Sequence, residues 1–159
     1  MAKSTVEVKN YLPNIEGKIN NAALQWLEET SGELESQAKR NSRVDFGQTK
    51  NSWVHNVNRG MGEAVVGSPL ENAIWEEYGT GEYAAEGNGR KSPWYVPVEA
   101  VTGTKKPSYN GQVIIVHGKN GQAYYKTNGK EPQRMLHKAW DSTMPKAEQA
   151  LTAKIKSIK

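Results

Sequence analysis

Apolar residues at Leu12, Ile15, Ile19, Ala23, Trp26, Leu34 and Ala38 recur at spacings of three and four or their sums. That period places them on one face and predicts a long helix from about Leu12 to Arg40. Gly32 interrupts the run, and Thr30 with Glu33 has the spacing of a cap for a restart. The apolar phase carries across the glycine, so one helix is expected. Before it, Thr5–Val8 reads as a short opening strand; after it, 41–47 reads as a loop. Ser52–Asn58 then alternates in the manner of a strand, Arg59–Gly62 turns, and Glu63–Val66 pairs back. A short helix is expected from Ser68-Pro69 to Tyr78, stopped by Gly79.

Further strands are predicted at Trp94–Val98, Gln112–His117 and Gln122–Thr127, the last two joined by a tight Asn120-Gly121 turn. Loops at 79–93 and 102–111, rich in glycine and small polar residues, are expected to be mobile. Met135, Leu136, Ala139, Trp140, Ala147, Leu151, Ile155 and Ile158 share one face of a closing helix that begins near Glu131 or Pro132. Pro145 falls within it and predicts a kink or restart. The plan is α+β: an antiparallel sheet of about four to six strands, covered by a long N-terminal helix and a C-terminal helix. No repeat or second domain breaks residues 1–159, a length suited to one core.

Charge is segregated along the chain. From Glu63 to Glu86 there are six acids and no Lys or Arg; from Gly87 to Lys130 seven bases face Glu99 alone, a net of +6. Two readings stand beside each other. These are solvated faces, or Glu71, Glu76, Glu77, Glu82 and Glu86 on one subunit meet Arg90, Lys91, Lys105 and Lys106 on the next, a head-to-tail complementarity that closes rings. Trp75 and Tyr78 read as core anchors, which leaves Glu76 and Glu77 facing water or a neighbour.

Other chemistry finds little footing. There are no cysteines, and His55, His117 and His137 are scattered, so neither thiol chemistry nor a histidine metal site is predicted. Gly79-Thr80-Gly81 imitates a dinucleotide loop but follows a helix rather than a strand. No Gly-x-Ser-x-Gly elbow occurs. No cofactor and no catalysis are expected. No window is apolar enough to span a membrane, and the first residues lack the apolar stretch of a secretion signal.

Three segments carry a resemblance. Arg43-Val-Asp-Phe-Gly-Gln-Thr-Lys-Asn-Ser-Trp53 is similar to a "P-V-D-T-G-x-L-x-x-S" stretch, with Arg43 for its proline and Phe46 for its threonine. Val66–Gly81, closing on Glu77-Tyr78-Gly79-Thr80-Gly81, resembles "V-G-x-Y-A-x-Y-x-E-x-G-T-G". Asn128–Ala139 resembles "G-x-x-P-x-P-F-L-x-x-A", with Arg134-Met135 in place of Pro-Phe. In this order they resemble the head–tail connector, or tail-completion (neck), proteins of long-tailed bacteriophages. The resemblance implies a structural ring subunit that acts at the head–tail junction, contacts itself and neighbouring connector and tail proteins, and passes from the host cytoplasm into the virion.

An alternative from another class is a non-specific nucleic-acid-binding module. Lys105, Lys106, Lys119, Lys126 and Lys130, interleaved with Tyr109, Tyr124 and Tyr125, would line a basic sheet, and Lys154 and Lys156 would add to it. In a ring, the same residues would give transient contact with passing DNA.

Overall fold

A computed structural model describes residues 12–43, 47–101, 103, 106–107 and 111–158. The expected strand at Thr5–Val8, Lys105 and most of the loop 102–111 lie outside them. The long helix is there as one piece, α1 (Leu12–Asn41). A five-residue helix, α2 (Gln48–Ser52), follows between the expected loop 41–47 and the expected strand, and takes in Ser52, where that strand was expected to begin. Strands β1 (Val54–Asn58) and β2 (Glu63–Gly67) form the predicted antiparallel hairpin, with Asn58 opposite Glu63. Next come α3 (Glu71–Tyr78), β3 (Thr80–Gly81), β4 (Trp94–Pro97), β5 (Ile114–His117), β6 (Ala123–Thr127), β7 (Gly129–Lys130) and α4 (Met135–Lys156).

The class is α+β, with the strands divided among three antiparallel ladders: β1–β2, β3–β7, and a three-stranded sheet ordered β4-β6-β5. The first and last helices pack along each other, and α1 also covers the β1–β2 hairpin. Pro145 sits within α4 without dividing it. A proline there removes one main-chain donor, and the continuous apolar seam against α1 holds the helix together.

Leu34 and Ala38 of α1, Met135 and Ala139 of α4, and Trp53 form the buried core, flanked by Val66, Leu136 and Met144. Small residues at Ala38 and Ala139 let the helices approach closely. Trp53 is only 3% exposed, and its indole N–H donates to the Ser42 hydroxyl at 2.9 Å. That hydroxyl donates in turn to the Ala38 carbonyl at 2.8 Å, so the Trp53 and Ser42 polar atoms are both partnered. At the far end of the helix pair, the Trp26 indole donates to the Ala147 carbonyl at 2.7 Å.

The hairpin is tied to α1 through Glu35. Lys39 Nζ donates to Oε1 and His55 Nδ1 lies against Oε2, both at 2.5 Å. Hydrogen bonds from Lys39, then from His55, hold the Glu35 carboxyl below its ordinary value of 4.5. A depressed folded-state value means that this stabilisation is complete above 4.5 and is lost as pH falls through the folded-state value. Glu35→Gln is therefore expected to flatten the fall of Tm with pH below 4.5. An unchanged slope in thermal melts across that range would refute the linkage.

Candidate interaction surfaces

The three segments that carry the family resemblance meet at one place. Gln133, buried just before α4, takes Glu76 on one side and Arg43 on the other. With its amide turned the way that satisfies both neighbours, the nitrogen donates to Glu76 Oε2 at 3.0 Å and the oxygen accepts from Arg43 Nε at 2.7 Å. Its backbone N–H donates to the Glu76 carbonyl at 2.7 Å. Glu76 Oε1 is further paired with Lys130. Beside this chain, Gly81 of β3 lies directly opposite Gly129 of β7.

Glu77 corrects an expectation. It is 5% exposed and faces inward, so it is not a subunit-contact residue. Its carboxylate accepts the backbone N–H of Leu136 at 2.9 Å and of His137 at 3.0 Å, with His137 Nδ1 at 2.7 Å. The physical reason is the start of α4. The residue before it, Arg134, adopts left-handed backbone angles and makes no side-chain cap bond. The first-turn amides therefore need an acceptor from elsewhere. A carboxylate also suits the positive end of the helix dipole.

With Glu77 and Ala73 turned inward, α3 turns its large apolar residues out. Trp75 is 51% exposed, with Ile74 and Tyr78 also exposed; the expectation that Trp75 and Tyr78 are core anchors is corrected. Tyr78 meets His137 edge-on at 5.9 Å, and Trp140, one turn further along α4, is exposed too. Four large apolar side chains are thus left exposed on two neighbouring helices, Ile74, Trp75 and Tyr78 on α3 and Trp140 on α4.

The remaining charged candidates divide. Glu82 accepts from Asn128 Nδ2 at 2.9 Å and Glu86 from Asn88 Nδ2 at 3.3 Å. The Arg90 guanidinium lies over the Trp94 ring at 5.8 Å. Lys91, Lys106, Lys119 and Lys156 are exposed. Lys130 and Lys154 pair within the chain, with Glu76 and Glu29 respectively. Acidic and basic segments therefore meet partly inside one subunit.

The proposed basic sheet is also dispersed. Tyr125 is buried on the face opposite Lys126, while Tyr95 is the cross-strand partner of Lys126. Lys154 and Lys156 sit near the far end of the helix pair. A cleft of about 820 Å³ lies among α2, α3 and strands β4 and β6, with Arg43, Thr49, Glu76, Trp94, Lys106 and Thr127 among its walls. Its lining mixes both charges. Among the described residues no group of three or more His, Asp or Glu side chains is placed to hold a metal ion, and no helix is long and apolar enough to cross a membrane.

No protein-family model matches this chain, and no curated protein or solved structure matches it either.

Proposed function

We propose that the chain is a structural subunit of the bacteriophage head–tail junction, of the connector or tail-completion kind, that assembles into a ring. The observation that carries this reading is the exposed apolar face of α3, formed by Ile74, Trp75 and Tyr78, with Trp140 exposed on α4. Large aromatic side chains exposed together on a rigid element are the usual anchors of a protein–protein contact. The face is held in place because α3 is bonded to the start of α4 through Glu76, Glu77 and Gln133. The three resembling segments support the reading, since they build that junction.

Exposed ion pairs contribute only about 0–1 kcal/mol each, so the apolar face supplies most of the contact energy. Glu71, Glu82 and Glu86 against Arg90, Lys91 and Lys106 of a neighbour set its orientation. Light scattering at several concentrations and two salt levels tests this. A salt-sensitive ring of about six or twelve subunits is expected for the native chain. Trp75→Ala, with unchanged circular dichroism, is expected to lower its affinity at least tenfold. A chain that stays monomeric at every concentration, or a Trp75→Ala variant that assembles normally, refutes the self-assembling ring.

A further inference from the structure

The two edges of the three-stranded sheet differ in kind. At one edge, β4 begins directly after Pro93 and ends on Pro97, with Arg90 and Lys91 just ahead of it. Proline has no N–H to offer a further strand, and flanking charge discourages one. At the other edge, β5 pairs only with β6 among the described strands. The run Val113-Ile114-Ile115-Val116 has neither proline nor charge, and Val113 and Ile115 are about half exposed, at 47% and 50%. Every second residue of an edge strand turns its amide and carbonyl outward. An uncharged β-branched strand of this kind is a ready template for another strand.

We infer that β5 pairs antiparallel with β5 of a second copy of this chain, across a two-fold axis, to give one six-stranded sheet. Self-complementarity selects this occupant. A two-fold axis through Ile115 sets it opposite itself, Ile114 opposite Val116 and Val113 opposite His117. In that register opposed residues lie on matching faces, and no like charges oppose one another. The resulting order, β4-β6-β5-β5-β6-β4, ends on the proline-guarded β4 at both sides. Growth of the sheet through this contact therefore stops at two copies instead of running on into a fibre. This contact lies on a different surface from the apolar face of α3 and does not depend on the ring.

The chain has no cysteine, so one introduced thiol reports on one position. Ile115→Cys is expected to form a covalent dimer under mild oxidation, because facing strand residues lie within disulfide reach. Val113→Cys and His117→Cys are each expected to cross-link slowly alone and readily when mixed. Val65→Cys, exposed on the β1–β2 hairpin, is the control. In the cysteine-free Trp75→Ala chain, where the ring contact is weakened, Ile115→Lys is expected to weaken dimerisation at least tenfold in sedimentation equilibrium. The inference is overturned if Ile115→Cys cross-links no faster than Val65→Cys, if the mixed pair shows no advantage, or if the chain forms open-ended fibrils. Trp75→Ala separates the two contacts, because it is expected to leave the Ile115→Cys cross-link intact.

Discussion

Glu77→Ala is expected to destabilise the protein by about 2 kcal/mol, because two part-buried backbone amides in the first turn of α4 lose their acceptor and loss of such a cap costs about 0.5–2 kcal/mol. The residue before α4, Arg134, is locked in left-handed geometry and supplies no side-chain cap. Glu77→Gln keeps the shape and one acceptor oxygen but loses the charge facing the helix dipole, so roughly half the loss is expected. Urea melts give the free energies, and hydrogen exchange at Leu136 and His137 locates the effect. Equal stability of Glu77→Ala and the native chain would mean that the carboxylate does not cap α4.

Gly81→Ala is expected to cost more, on the order of 3–5 kcal/mol, a Tm loss of roughly 10 °C for a chain of this length. Gly81 has a φ of +61°, and a Cβ there would sit 2.1 Å from the Asn128 carbonyl oxygen and 2.8 Å from the Trp94 ring. The first obstacle is backbone and cannot swing aside. Gly129 across the ladder is equally tight, with a Cβ placed 2.0 Å from the Thr80 carbonyl oxygen. Gly17 makes the contrast: it lies on exposed α1 with nothing near its Cβ position. Gly17→Ala is therefore expected to stabilise by up to about 1 kcal/mol. Thermal melts of the pair measure both, and a Gly81→Ala variant as stable as the native chain would refute the close backbone approach.

The long-range chemistry around these residues explains which parts of the molecule were legible in the sequence. α1 was legible because its apolar phase persists from Leu12 to Ala38, through Gly32, in a helix of 30 residues. The β1–β2 hairpin was legible because Arg59-Gly60-Met61-Gly62 separates two alternating runs. α2 was not, since five residues carry too little periodicity. The β3–β7 ladder was hidden because its two-residue strands are defined by the approach of Gly81 and Gly129, distant in sequence. On α3 the hydrophobicity rule was reversed: Ala73 and Glu77 face inward and Trp75 outward. An eight-residue helix has few positions, and the needs of α4, sixty residues away in sequence, decided which side chain turned in. The charge segregation was plain, but its pairing was not, because Glu76 and Lys130 met inside one chain.

The packing of α4 along α1 has a kinetic consequence. Trp26 is bonded to Ala147, and Asn41 to the Met135 carbonyl. The main seam thus joins residues roughly a hundred positions apart. Contacts of such long loop span form late and slow the search for the native state. During synthesis α1 and the hairpin emerge well before the helix that covers them, so their apolar face waits uncovered on the ribosome. Folding of the core is therefore held back until the Met135–Lys156 segment has been released from the exit tunnel, and a chain stalled before it presents Leu34 and Trp53 to chaperones or to other nascent chains.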